Sequence, residues 1–392
     1  GIAARQDVPY FVEEFPFISS VCSDRSQVIL ETSVANGRAL GVVVDWLELT
    51  SESGFAPPAS LGAWAAVLGL LLGSCGLVLS RRWAVALPAI AAAGLGLLAS
   101  ADPMAADRVL RIGTTGLILT GAVVASGALL ARRSPEATHF GRAVLVASLL
   151  AGWAVRLPFL APRIFYPDYR VHALVQETLE RDGLRHFVDN LFTIQYARSL
   201  GLQEISGRWY PFPYPPGAYV LSAGLQKLAH LDALESLLAL SVGLGALVGP
   251  LTVLLGSALG LPVRASALAG FLAATSPLLI RRIALGYFPG IAGLAVDLIV
   301  LMGALSLLRQ RRPRAGRTGL LAVALCGAFL IYTQAIANFG ILVTLLLAGE
   351  VGRRSPSPRA TLHLAAAALL GLLLAFLGFY DRYVPVFQNI AS

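Results

Sequence analysis

Ten apolar runs, each near the length that crosses a bilayer, constrain this chain more than any other feature. They lie at about 59–80, 83–100, 109–131, 141–161, 233–257, 264–280, 286–308, 317–333, 334–350 and 361–379. A helix spans the hydrocarbon core with about 20 apolar residues, within a range of roughly 17–25. Residues 317–350 carry no basic break, only the polar hinge Tyr332-Thr333-Gln334 and then Asn338, so their division into two spans rests on that hinge. With 56% hydrophobic and 13% charged residues and a mean hydropathy of +0.72, the composition agrees with an integral membrane protein. The expected fold is therefore an all-α polytopic membrane protein of about ten transmembrane helices.

The net charge of +8 is concentrated in the gaps between runs: Arg81-Arg82, Arg132-Arg133, Arg309 to Arg317 and Arg353-Arg354. Placing Arg81-Arg82 inside puts the other basic loops inside as well, as the positive-inside rule requires. The condition is that 162–232 contains no span. Ala218 to Leu231 is the segment at issue. It has about fourteen residues and ends in Lys227 and His230, so it reads as a helix lying at the outer interface or re-entrant. The N-terminus and the loop 162–232 are then extracytoplasmic, in an inner or plasma membrane. Nucleic-acid binding is excluded, because no basic stripe is interleaved with exposed aromatics.

Residues 1–58 differ from the rest. Gln27-Val-Ile-Leu-Glu-Thr and Leu40 to Leu49 alternate or are β-branched, and Asn36-Gly37 between them is a hairpin turn signal. This is expected to be a small extracytoplasmic β segment with a linker from Ser51 to Pro58. It is too short to bury a core alone and is expected to pack on the membrane part or on a protein partner. Three N-terminal spans follow over 59–140. Residue 1 is Gly and no signal peptide opens the chain, so the sequence is expected to be part of a longer or processed protein. Cys22, Cys75 and Cys326 are far apart and imply neither a disulfide framework nor a metal site.

The outer loop carries the polar chemistry. Val171, Leu174, Val175, Thr178 and Leu179 recur at helical spacing, opposite Arg170, Glu177, Glu180 and Arg181. This is an amphipathic helix stopped at Gly183, with a second from about His186 to Leu200. Trp209 to Gly217 holds five aromatic or glycine positions among four prolines and must run extended. Asp168 follows Pro167 and is placed to cap the first helix. His172 lies one turn on, on the same face. Arg281-Arg282 ends a run on the outer side, against the charge bias, and an arginine fork suits phosphate. Gly286-Tyr287-Phe288-Pro289-Gly290 is an aromatic break behind it. Asp297 lies inside its run, either as a helix-packing group or as a relay. The phosphate-loop pattern is absent.

Together these stretches resemble the GT-C superfamily of polytopic glycosyltransferases, which includes protein O-mannosyltransferases and aminoarabinose transferases. The residues that carry the resemblance are Tyr166-Pro-Asp168-Tyr169-Arg170-Val-His172, Tyr214-Pro-Pro-Gly-Ala-Tyr219, Ser276 to Arg281 with Gly286-Tyr287-Phe-Pro, and Tyr332-Thr-Gln334. Gln334 stands where relatives often carry histidine, and three runs and a β segment precede the similar core, 141–392. The resemblance implies transfer of a sugar from a polyprenyl-phosphate donor to an acceptor outside the membrane. Asp168 would be the general base or acceptor-orienting group, and Arg281 and Arg282 would hold the donor phosphate. Tyr169, Arg170, His172, Tyr214, Tyr287 and Gln334 would shape the substrate site. No cofactor is implied, and a divalent metal stays open. The alternatives are a non-catalytic GT-C-like subunit or scaffold of a cell-envelope complex and, third, a transporter of a lipid-linked substrate.

Overall fold

The computed structural model describes residues 59–131, 139–160, 167–198, 202–205, 208–211, 214–353, 357–385 and 388. The N-terminal β segment, with Cys22, lies outside them. Within them the chain is a bundle of helices with one small hairpin. Six stretches are long and apolar enough to cross a bilayer: Gly62–Leu79, Arg81–Ala101, Ala233–Ala258, Val263–Ala284, Phe288–Leu308 and Pro358–Gly378. Phe140–Ala154, Ala315–Ile331 and Ala335–Gly349 are apolar but shorter. This is an integral membrane protein.

The first two helices, α1 (Ala59–Leu79) and α2 (Arg81–Ala101), form a hairpin turning at Ser80. No residue of α2 is buried, and Leu97 is 74% exposed. Water would penalise that surface, whereas hydrocarbon matches it. Next come α3 (Pro103–Ala131) and α4 (His139–Ala154), the latter ending in a 3-10 turn, Leu157–Leu160. The centre of the bundle is α7 (Ala233–Ala258), which touches α3, α4 and five later or flanking helices. It is apolar all round, as a helix enclosed by others must be. Small residues let its neighbours approach: a Cβ on Gly249 would meet that of Ala274 at 2.8 Å.

At the junction of α4 with the turn after it, Arg156 is fully buried. Its Nη1 donates to the carbonyls of Gly152, 2.8 Å away, and Ala274, 2.7 Å away. Both carbonyls belong to last helical turns, where unpaired acceptors and negative dipole ends attract a cation. Ala274 ends α8 (Val263–Ala274); after Thr275 and Ser276 the chain resumes as α9 (Pro277–Ala284). The apolar run at 264–280 is therefore two helices. Pro277 has no N–H to continue the ladder and restricts Ser276, which sits at φ −55°, ψ 119°.

The remaining bundle helices are α10 (Phe288–Leu308), α11 (Ala315–Ile331), α12 (Ala335–Arg353) and α13 (Pro358–Gly378). The split of 317–350 at Tyr332 is as the sequence reading has it. Asp297 of α10 accepts a hydrogen bond from Asn338 Nδ2 of α12 at 3.0 Å, which makes it a helix-packing group.

Between α4 and α7 lies the loop layer. Here α5 (Pro167–Arg198) is two helices joined at Gly183, whose φ of 69° and ψ of 167° only glycine adopts readily. The expected stop at Gly183 is a kink. An antiparallel hairpin follows, β1 (Leu202–Ile205) with β2 (Arg208–Pro211), Leu202 opposite Pro211. Then comes α6 (Gly217–Ala229), ended by His230 in the left-handed region at φ 53°. Its 13 residues extend about 20 Å, too little to cross a bilayer.

Candidate functional site

The first turn of α5 presents Tyr169 and His172 to the bundle, three residues apart and so on one face. Tyr169 is buried, donates its hydroxyl to the carbonyl of Ile283 at 2.8 Å, and stands edge-on to Phe288, ring centres 4.9 Å apart. This pins α5 to the last turn of α9 and the start of α10. His172 is 5% exposed, with Nδ1 2.6 Å from the Tyr219 hydroxyl. The rings of Tyr214 and Phe288 lie 5.6 Å and 5.7 Å from its own.

The proline strap supplies the next wall. Tyr214 precedes the buried Pro215 and Pro216, and α6 begins at Gly217, where a Cβ would meet the carbonyl of Leu330 at 2.7 Å. One helical turn brings Tyr219 to His172. Behind α6, Ser222 and Ser236 share a hydrogen bond of 2.7 Å that fixes it to α7. The 3-10 turn Tyr380–Tyr383 closes the group from the C-terminal side. Tyr380 donates to the carbonyl of Phe329 at 2.7 Å, and Tyr383 lies against the backbone of Tyr214.

The α9–α10 turn depends on Gly286. Its φ is +82°, and a Cβ there would meet the Tyr169 ring at 2.9 Å. The turn leaves Tyr287 45% exposed while burying Phe288. Arg282 lies close enough to Tyr332 to act on its ionisation, as does Tyr287. Arg281, the position before it in α9, is exposed. At the α11–α12 hinge the Tyr332 hydroxyl donates to Gln334 Oε1 at 2.7 Å. Asn338, grouped with these two in sequence, turns instead to Asp297.

Burial dominates the electrostatics. The imidazole of His172 is pushed down to about 4, so it is neutral near pH 7. Burial pushes the phenols of Tyr169 and Tyr380 up to about 12 and that of Tyr219 well above its ordinary value. Burial also raises Tyr332, against a smaller lowering by Arg282. The tyrosines thus remain hydrogen-bond donors, and the described part of this site is an aromatic floor with Arg282 at its edge. No group of three metal-ligating side chains occurs among the described residues.

Of the residues picked from the sequence, Tyr169, His172, Tyr214, Arg282, Tyr287 and Gln334 meet at this end of the bundle. Asp168 lies in the first turn of α5, which starts at Pro167. Its side chain and that of Arg170 lie outside the described residues. His172 is nearly enclosed, with its Nδ1 engaged by the Tyr219 hydroxyl. Tyr219, Phe288, Tyr380 and Tyr383 were missed as site residues. The repeated aromatics of Tyr214 to Tyr219 and Phe379-Tyr380-Asp381-Arg382-Tyr383 were the available signal. Comparison of the chain with protein-family models, curated proteins and solved structures gives no match.

Proposed function

We propose that this protein is a membrane glycosyltransferase of the GT-C type, moving a sugar from a polyprenyl-phosphate donor to an acceptor on the extracytoplasmic side. The observation that supports it is convergence. The start of α5, the strap from Tyr214 to Tyr219, the α9–α10 turn and the Tyr332–Gln334 hinge are distant in sequence and gather at one end of the bundle. In this reading Asp168, next to the anchored Tyr169, deprotonates the acceptor hydroxyl as it attacks the anomeric carbon. Arg282 stabilises the phosphate that departs, with Arg281 as an outer contact. Tyr287 and Gln334 line the approach.

The test is transfer from a lipid-linked donor by purified protein in a membrane assay. Asp168→Asn should reduce it by about a hundredfold or more at unchanged folding. Arg282→Ala should impair it more than Arg281→Ala. Unchanged transfer in Asp168→Asn removes the catalytic reading. A second reading, a non-catalytic subunit or scaffold of a cell-envelope complex, is favoured by one feature. The buried Tyr169 and the His172–Tyr219 pair bond to the protein itself. It predicts no transfer in any variant, and co-purification of a partner that Asp168→Asn leaves intact.

A further inference from the structure

At the end of the bundle opposite the aromatic site, a groove of about 340 Å³ opens between the ends of α7, α10 and α11. Met302 and Leu305 form its apolar part, and Ser306, Arg309, Gln310 and Arg317 its polar part. Arg309 is set in place: its Nη1 donates to the carbonyl of Ala258 at the end of α7. Arg317 sits in the first turn of α11, where backbone N–H groups and the helix dipole already favour an anion. Arg317 has no carboxylate partner among the described residues.

The position of the groove decides what it meets. From Phe288 at the aromatic site, α10 runs 21 residues, about 31 Å, before reaching Arg309 at the polar end of the groove. That matches the hydrocarbon thickness of a bilayer, about 30 Å. With Phe288 at one interface, Arg309 and Arg317 stand at the headgroup level of the other. There an acyl chain would lie along Met302 and Leu305 and a phosphate would meet the guanidinium groups. Arginine binds phosphate oxygens through its planar fork, and basic pockets between helix ends suit anionic headgroups. Positive-inside topology accounts for arginines in this loop, but not for two of them converging on a groove with an apolar floor.

We propose that this groove is a binding site for the phosphate headgroup of an anionic phospholipid, independent of the chemistry at the other end of the molecule. The experiment is native mass spectrometry of the full chain released from nanodiscs of phosphatidylcholine doped with phosphatidylglycerol. Wild type should retain phosphatidylglycerol in preference to phosphatidylcholine. Arg317→Ala should weaken that retention by about tenfold, the loss of one charge-assisted contact. Arg309→Gln should do the same, but Arg309 also caps α7, so Arg317→Ala is the decisive variant. Arg311→Ala and Arg312→Ala, exposed at the same end but outside the groove, should change little. Equal losses in all four variants would mean diffuse attraction to the loop and overturn the site. Displacement of the lipid by inorganic phosphate or glycerol phosphate at matched concentration would assign the site to a soluble phosphate and overturn the lipid reading. No preference for phosphatidylglycerol in wild type would also overturn it.

Discussion

At His172 the fold places an imidazole among Tyr214, Tyr219 and Phe288 and gives Nδ1 the Tyr219 hydroxyl at 2.6 Å. Burial lowers its pKa from an ordinary 6.5 to about 4. Between those values the unfolded chain takes up a proton that the folded chain refuses. The contribution of His172 to stability is therefore intact above about pH 6.5 and is lost as pH falls towards about 4, on the order of 3 kcal/mol in all. His172→Phe should flatten that part of the profile when thermal unfolding of the detergent-solubilised protein is followed against pH. Parallel profiles for the two proteins would show that some other group sets the acid limit. At neutral pH the same variant orphans the Tyr219 hydroxyl and should cost about 1–3 kcal/mol, part of which His172→Phe with Tyr219→Phe should restore. Sequence spacing found His172, one turn from Asp168, but could not show its burial. That depends on three rings from distant segments, and no local pattern records which loop folds over which.

Among the elements, α7 shows what a local pattern can and cannot encode. Asp232-Ala-Leu-Glu235 is a capping box: Asp232 Oδ1 accepts from the Glu235 N–H at 2.7 Å, and Glu235 Oε2 accepts from the Asp232 N–H at 3.1 Å. The spacing is legible in the sequence. The third participant is not: Arg111 of α3 donates to Glu235 Oε1 at 2.9 Å and to Asp107 Oδ2 at 2.9 Å. Asp232→Ala removes one cap and should cost about 1 kcal/mol. Glu235→Ala removes the return cap bond and the bridge that ties α3 to α7, and should cost roughly 2–3 kcal/mol. Chemical unfolding of the purified protein measures both. Equal costs would mean that the Arg111 bridge contributes nothing. The reverse failure of reading is the α8–α9 break, where Ser276-Pro277 announced a stop but the surrounding hydropathy hid it inside one run. The β1–β2 hairpin was likewise hidden. Ser206-Gly207 is a two-residue turn signal in the sequence, but proline and amphipathic helix patterns flank it closely.

For the whole molecule, the arginine-rich gaps and run lengths made the helical membrane fold readable, because both follow from bilayer thickness and charge placement alone. Which loops meet at the aromatic end was not readable, since lipid-facing and partner-facing apolar residues look alike in sequence. The side assignment turns on α6. If the ten runs read from the sequence all cross and the 13-residue α6 does not, the α1–α2 turn and the α10–α11 loop lie on one side of the membrane and the Tyr380–Tyr383 turn on the other. Were α6 a span, every later loop would invert, and the two arginine-rich turns would face opposite sides. Single cysteines placed at Arg82, Arg312 and Asp381, in a background lacking Cys22, Cys75 and Cys326, separate the two arrangements. All three positions are drawn from exposed residues. In sealed cells an impermeant maleimide should label Asp381→Cys and spare Arg82→Cys and Arg312→Cys, and permeabilisation should expose all three. Labelling of Arg312→Cys with Arg82→Cys still protected would make α6 a crossing helix. It would also turn the α9–α10 arginines to the side of the basic loops, and remove the extracytoplasmic donor site from the proposed function.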